Sequence, residues 1–203
     1  RIGDGEYAII ELSTPANSGY LKAEPVYITV KDTTEVQSFE MKDDYTKVEI
    51  SKQDIVTGKE IKNAHLQIID NETNEVVKEW VTNGEKTLIE NVLQPNHDYT
   101  LVETSVDEKG YIKAEDVKFH VDETGKIQTV IMKDDFTKVE FSKEDITTGE
   151  EIEGAHLQII DKETGEVITE WVTDGKPHYI ENVLQPGQYY LEETRAPNGY
   201  LIA

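Results

Sequence analysis

The chain repeats itself at a fixed interval, and this repetition constrains its fold more than any other feature. Residues 46–54 read TKVEISKQD and residues 137–145 read TKVEFSKED, so Lys52 and Lys143 occupy equivalent places 91 positions apart. The strings AHLQIID, EWVT and IENVLQP each occur twice at the same interval. We therefore expect tandem copies of one small domain rather than a single large fold.

The repeat divides the 203 residues into three parts. Residues 1–45 correspond to the later part of a repeat, because they contain GEYAIIELSTPANSGYLKA, which matches QYYLEETRAPNGYLIA at the other end of the chain. Residues 46–136 form one complete repeat, and residues 137–203 form the front of a third. We expect the chain to be an excerpt from a longer array. Because no Gly/Ser-rich or Pro-rich linker separates the repeats, neighbouring repeats are expected to be stiffly coupled.

The composition excludes several classes of protein. Asp and Glu total 42 against 20 Lys and Arg, which gives a net charge of -22, and such a field repels nucleic acid. No apolar stretch approaches the roughly 20 residues that cross a bilayer, so we expect no membrane partner. Cysteine is absent, so disulfides and thiolate metal sites cannot staple the fold. Any covalent staple must use other chemistry.

Apolar residues recur at every second position within each repeat. Ala64, Leu66 and Ile68 share one phase, as do Val48 and Ile50, which is typical of half-buried strands. Turn sequences such as DIVTGKE, TNGEK and QPNHD lie between these runs, and no segment of ten or more residues holds a helical stripe. The pattern predicts an all-β chain of tandem sandwich domains, each with about seven strands.

Three strands of the complete repeat carry their inward phase on to an ionisable residue. These residues are Lys52, Glu103 and Asp134. The equivalent positions in the partial repeats are Glu11, Asp43, Lys143 and Glu193. In one interpretation each strand leaves the core at that point and its charge meets water. In the other, the three groups are buried together, which favours their neutral forms, and a neutral amine beside a protonated carboxylic acid can condense to an amide.

The ordered set of motifs resembles a known family. VEISKQD with TGKEIKNAHLQI, then YTLVETSVDEKGY or YYLEETRAPNGY, then VIMKDD, is similar to the B-type repeat domain of the collagen adhesin, found in Gram-positive surface adhesins and pilus shafts. The resemblance covers the whole chain. It implies a reversed immunoglobulin-like or prealbumin-like β-sandwich closed by a self-formed isopeptide bond.

The resemblance also implies a role for each ionisable residue. Lys52 is the expected nucleophile, Asp134 the electrophile and Glu103 the proton shuttle. Asp135 is adjacent to Asp134, but its phase in the strand points outward. The first repeat lacks its lysine and the last lacks its aspartate, so at most one complete bond is expected within a single repeat of this chain.

Other candidate sites have simpler explanations. The acidic clusters at 70–72 and 161–163 lack the spacing of a calcium loop, and hairpin turns account for them. Trp80 and Trp171 recur inside EWVT, where a packing role is favoured over a carbohydrate platform. The histidines show no metal-binding spacing and are expected at the surface: His65, His97, His120, His156 and His178. We expect no metal and no cofactor.

Two classes of function remain. The sequence holds no Gly-rich phosphate loop, GxSxG elbow or Ser-His-Asp set, so we expect no enzyme beyond a single self-crosslinking event. The first class is an extracellular structural stalk or surface fibre whose partners are neighbouring repeats of the same array. The second is an adhesin module that binds a host matrix protein or glycan through its loops. Near-identity of the repeats favours the stalk, whereas the difference between SVDEKGY and RAPNGY is the kind of divergence that binding would require.

Overall fold

The computed structural model describes residues 3–106 and 110–203, and all regular structure within them is β. No helix in these residues has the length and apolar character that spanning a membrane requires. The strands, in chain order, are β1 (Gly5–Ile9), β2 (Tyr20–Leu21), β3 (Val26–Val30), β4 (Asp44–Tyr45), β5 (Lys47–Asp54), β6 (Lys62–Asp70), β7 (Val76–Asn83), β8 (Thr87–Glu90), β9 (His97–Val106), β10 (Tyr111–Ile112), β11 (Val117–Val121), β12 (Ile127–Phe136), β13 (Lys138–Phe141), β14 (Glu153–Asp161), β15 (Val167–Asp174), β16 (His178–Glu181) and β17 (Tyr189–Arg195).

The chain divides into two compact units. The first comprises residues 1–105 with 114–133, and the second comprises residues 106–113 with 134–203. These units do not coincide with the three parts expected from the repeat, whose boundaries at 45/46 and 136/137 stay a prediction.

The complete repeat forms two four-stranded sheets with antiparallel neighbours wherever a register is defined. One has the strand order β10-β12-β5-β8 and the other the order β11-β9-β6-β7. In the first sheet Val48 is opposite Ile89, and in the second Tyr99 is opposite Phe119. The all-β sandwich prediction is confirmed, with eight strands where about seven were expected because β10 contributes a short edge of two residues.

Burial alternates along the strands that face the core. In β6, Ala64, Leu66 and Ile68 are almost fully buried while the residues between them are partly exposed. In β9, Tyr99 and Leu101 are buried in the same way. Side chains of successive strand residues point to opposite faces, so the period of two places these residues on the inner faces of the two sheets.

The second unit contains the strands of the third repeat. β13 pairs with β16, and β14 lies between β15 and β17. Ile159, Ile180 and Leu184 form its buried core, against which Phe141 and Trp171 pack. The packing role expected for Trp171 is therefore observed.

Residues 1–45 form two short strand pairs, β1 with β3 and β2 with β4. The strand expected at residues 39–43 is absent: these described residues have no regular structure, Phe39 is 45% exposed and Asp43 is exposed. In the complete repeat the equivalent strand, β12, lies beside β5. Residues 1–45 hold no sequence counterpart of β5, so the backbone of residues 39–43 has no such strand to pair with.

Candidate functional site: a buried lysine and glutamate between two sheets

Lys52 is held inside the sandwich by β5. It follows Val48 and Ile50 in the inward phase of the strand, and only 2% of its surface is exposed. Its backbone is fixed on both sides, because its N–H donates to a carboxylate oxygen of Glu60 at 2.9 Å and its carbonyl accepts from the N–H of Ile61 at 2.7 Å. The amine therefore projects into the core from a strand whose backbone cannot readily turn it outward.

Glu103 reaches the same point from the opposite sheet. It follows Tyr99 and Leu101 in the inward phase of β9 and is fully buried. Its Oε1 lies 3.0 Å from Lys52 Nζ, and its Oε2 accepts from the backbone N–H of Ala114 at 2.6 Å. The two carboxylate oxygens thus have separate tasks: one faces the amine and the other is anchored to the backbone.

Asp134 is also fully buried, on β12, which neighbours β5 in the first sheet. The adjacent Asp135 is only half-buried, and its carboxylate is bound to Lys138 Nζ at 2.8 Å and to the N–H of Phe136 at 2.8 Å. This arrangement agrees with the expectation that Asp135 points outward. Asp135 is committed to contacts outside the core, and Asp134 is the inward carboxylate of the pair.

Tyr99 shows how strongly this interior excludes water. Burial raises the pKa of its hydroxyl above the ordinary value of 10.0. The hydroxyl oxygen accepts from the N–H of Gln94 at 2.9 Å, so the buried phenol has a hydrogen-bond partner. The lysine and glutamate that share this core are therefore in a setting where isolated charges are costly.

The third repeat rebuilds the lysine–glutamate contact. Lys143 Nζ lies 3.2 Å from Glu193 Oε2, with side chains 19% and 3% exposed. In the first repeat, Glu11 retains the anchor of the glutamate, since its Oε2 accepts from the N–H of Ala23 at 2.7 Å. Asp43 is exposed there. The structure therefore brings lysine and glutamate together in both repeats that contain the pair.

Two positioning groups escaped the sequence reasoning. The first is Glu60, whose role recurs in the third repeat, where Glu151 accepts from the N–H of Lys143 at 3.1 Å. The signal was available, because both glutamates follow the lysine by the same interval, in TGKE and TGEE.

The second group is the backbone N–H that anchors the glutamate in all three repeats. The donors are Ala23, Ala114 and Ala203, which bind Glu11, Glu103 and Glu193. Each alanine ends a recurring string, GYLKA, GYIKA or GYLIA, so the sequence did contain this signal. A backbone donor leaves no side-chain signature, and for that reason only the coordinates identify its function.

The clusters considered for calcium serve as turns. Asp70 Oδ1 accepts from the N–H groups of Glu72 and Thr73, and Asp161 Oδ1 accepts from those of Glu163 and Thr164. Among residues 3–106 and 110–203, no three His, Asp or Glu side chains are grouped to hold a metal ion.

One histidine differs from expectation. His97 is largely buried and its Nε2 lies 2.8 Å from Asp70 Oδ2, whereas a surface position was expected. It stands at the start of β9 beside Tyr99, with their ring centroids 4.9 Å apart, so packing and a carboxylate partner hold it inside.

The loop SVDEKGY, where the repeats differ most, includes residues 107–109, which lie outside the described residues.

Comparison with known proteins gives a consistent family. The model of the SpaA prealbumin-like fold domain matches residues 46–135 and 137–203. Comparison with curated protein sequences found no match. Among solved structures, the Bacillus anthracis TIE protein is 28% identical with a TM-score of 0.51, and the match covers 98% of this chain and 38% of that protein. This chain therefore spans well under half of the TIE protein.

Two pilins are also similar. A streptococcal ancillary pilin is 17% identical with a TM-score of 0.46, over 100% of this chain and 70% of the pilin. The shaft pilin SpaA of Lactobacillus rhamnosus GG is 15% identical with a TM-score of 0.35, over 78% of this chain and 90% of the pilin. The resemblance to repeat domains of Gram-positive surface proteins is confirmed at the level of the family. Since the two family matches together take in well over half of its residues, the chain belongs to the SpaA prealbumin-like fold domain family.

Proposed function

We propose that this chain is part of a structural stalk or fibre on a bacterial surface, and that its complete repeat locks itself with an amide bond between Lys52 and Asp134. The observation that carries the proposal is the water-excluded contact between Lys52 Nζ and Glu103 Oε1 at 3.0 Å, with Asp134 buried on the strand beside that of Lys52. The stalk is supported by the near-identical tandem repeats, which follow one another without a flexible linker.

The chemistry is a condensation that happens once. The neutral amine of Lys52 attacks the carboxyl carbon of a protonated Asp134, a C–N bond forms, a C–O bond breaks and one water leaves. Glu103 takes a proton from the attacking nitrogen and returns it to the departing hydroxyl through Oε1. Because Ala114 holds Oε2, the oxygen that faces Lys52 is the one free to carry this proton. No turnover follows, since the product is part of the fold.

Positioning supplies the driving advantage. Holding an amine against a carboxyl carbon in a packed core raises its effective molarity, which lowers a barrier by about 7 to 11 kcal/mol in well-oriented systems. Amide formation between free amines and acids in water is slow, so the fold has to provide this advantage. The first sheet would provide it by placing β12, with Asp134, beside β5, with Lys52, while Glu103 reaches Lys52 from the opposite sheet.

The bond would suit a stalk. It would join the first and last strands of the complete repeat, β5 and β12, so tension entering at one end would bypass the residues between 52 and 134. Closing a loop of about 80 residues also restricts the unfolded chain, which by the entropy argument used for disulfides stabilises the fold by about 4 kcal/mol.

The first prediction is a loss of one water from the intact mass of the purified chain. Lys52→Ala should restore the full mass, because the nucleophile is removed. Lys143→Ala is the matched control and should keep the loss, since the third repeat has no equivalent of Asp134 in this chain.

Peptide mapping completes the test. We expect one branched peptide that joins the Lys52 and Asp134 regions. An unshifted mass in folded protein, with free Lys52 and free Asp134, contradicts the amide bond and leaves an ordinary repeat sandwich with a buried ion pair.

A further inference from the structure

A short Gly-Tyr segment recurs once in every repeat. The three glycines are Gly19, Gly110 and Gly199, and each is followed by a tyrosine. Neither strand periodicity nor the amide bond explains why glycine stands there. In the first two copies it lies against the first residue of the repeat that follows.

In the first copy the segment lies against the start of the complete repeat. Thr46, the first residue of TKVEI, donates its N–H to the carbonyl of Gly19 at 2.8 Å. Tyr20 and Leu21 then pair with Tyr45 and Asp44 as strands β2 and β4. All these residues lie within the first compact unit.

The receiving surface is itself well ordered. Thr46 is 1% exposed, and its hydroxyl donates to the carbonyl of Leu93 at 2.6 Å. Its own carbonyl accepts from the N–H of Asn91 at 3.1 Å. Asn91 adopts a φ of 54° in the loop IENVLQP, which occurs in both repeats that contain this part. The surface is therefore a threonine and an asparagine loop joined by hydrogen bonds.

Gly19 fits this surface only because it has no side chain. A Cβ at this position would lie 2.5 Å from Thr46 Oγ1 and 2.8 Å from the Cα of Asn91. The second of these neighbours is backbone and cannot rotate away. The close approach of the two chain segments, rather than a local backbone conformation, requires glycine here.

The second copy shows the same contact within the second compact unit. Thr137 donates its N–H to the carbonyl of Gly110 at 2.9 Å, and Tyr111 pairs with Phe136. The Thr137 carbonyl accepts from the N–H of Asn182 at 3.0 Å. A Cβ on Gly110 would lie 2.7 Å from the Cα of Asn182.

The third copy has the segment without the surface. Gly199 has a φ of 91°, close to the 87° of Gly110, yet a Cβ there would meet no atom within 4 Å. No TKVE motif follows Gly199 in this sequence. The crowding at Gly110 therefore comes from the neighbouring repeat and not from the segment.

We propose that the Gly-Tyr segment is the docking element by which each repeat fastens to the threonine and asparagine-loop surface of the repeat that follows it. The partner is the next copy in the same array. The inference rests on the proposed stalk function for its purpose, and it does not depend on the amide bond. The docking contact would fix each repeat against the next, since no flexible linker separates them.

Amide hydrogen exchange measured by NMR tests this docking. Gly110→Ala should displace the segment and speed exchange of the Thr137 amide at least tenfold, because its acceptor is the Gly110 carbonyl. Gly199→Ala is the matched control: it places alanine at nearly the same φ but in open space, and it should leave the Thr137 amide unchanged. Equal effects of the two substitutions overturn the proposal.

A second variant covers the case in which Gly110→Ala does not fold. The φ of Gly19 lies outside the left-handed region, so Gly19→Ala adds crowding without backbone strain, and it should speed exchange of the Thr46 amide. An unchanged Thr46 amide overturns the proposal. The intact mass of each variant reports on the amide bond independently, so failure of docking and failure of crosslinking are distinguished.

Discussion

At the residue scale, the central feature is a contact between two ionisable side chains that a core would normally exclude. Lys52 and Glu103 bury two ionisable groups in contact, and the cost of removing both from water is rarely recovered by their attraction alone. A hydrophobic pair of similar volume would stabilise the fold equally well or better. The third repeat retains the pair as Lys143 and Glu193. This retention favours the proposed amide-forming reaction over stabilisation as the role of the pair.

Glu103→Gln is the second prediction. Glutamine keeps the volume and can accept from the N–H of Ala114, but it cannot relay a proton. The chain should fold and form the amide bond about 10²- to 10⁴-fold more slowly, the usual contribution of a positioned acid–base group. Intact mass measured at intervals after cell-free synthesis follows the reaction.

Glu193→Gln is the control for this substitution. It alters the equivalent glutamate of the third repeat and should leave the rate unchanged. Bond formation at the unaltered rate in Glu103→Gln would remove Glu103 from the mechanism and leave the positioning of Lys52 as the whole effect.

At the element scale, Asp-based turns end several strands. Asp54, Asp70, Asp145 and Asp161 each accept from two N–H groups of the turn that follows. These bonds stabilise the ionised carboxylate. For Asp70 they hold the pKa below its ordinary value of 3.8, with the N–H of Thr73 as the main cause and Glu72 and His97 as further ones.

The third prediction is a dependence of stability on acid. Because the pKa of Asp70 is lower in the folded chain than in the unfolded one, its contribution is fully present above pH 3.8 and is lost as the pH falls through the folded pKa. Asp70→Asn keeps an acceptor but does not titrate. Urea unfolding of the two proteins should show a difference in the free energy of unfolding that narrows as the pH falls through this range.

The equivalent turn of the third repeat provides the comparison. The pKa of Asp161 is lowered by the N–H groups of Thr164 and Glu163, but Gln188 stands where the complete repeat has His97. The free energies of unfolding of Asp161→Asn and the unaltered chain should also differ by an amount that narrows as the pH falls. A difference that widens on acidification in either variant would contradict the assignment.

At the scale of the whole molecule, the net charge of -22 works against compaction. The oppositely charged pairs at the surface, such as Lys86 with Glu49 at 2.8 Å, are too few and too exposed to offset it. An acidic surface makes separate chains repel one another in solution. The buried apolar side chains inside the complete repeat stabilise its folded state.

The fourth prediction is stabilisation by salt. Raising sodium chloride from about 0.02 M to about 0.5 M shortens the screening length well below 10 Å and weakens the repulsion among carboxylates. The midpoint of thermal unfolding should rise by a few degrees, which corresponds to about 1 kcal/mol. A fall in the midpoint with added salt would show that attractive surface pairs dominate instead.

The class of fold could be predicted from the sequence, and so could the inward phase of Lys52, Glu103 and Asp134. Side chains alternate along a strand by local geometry, so the phase that buries Ile50 also directs Lys52 inward, and this can be read without coordinates. The fixed interval of 91 between copies likewise defined the repeat. Both are properties of residues close in sequence or of identical strings.

Which of these groups lie in contact could not be predicted from the sequence. The 3.0 Å contact of Lys52 with Glu103, the anchor from Ala114 and the burial of His97 against Asp70 all join segments that local spacing does not relate. Residues 39–43 have the alternating pattern of a strand but form none, because residues 1–45 contain no counterpart of β5 with which they could pair. A strand pattern states which way a side chain faces, whereas its partner depends on the packing of sheets that are distant in sequence.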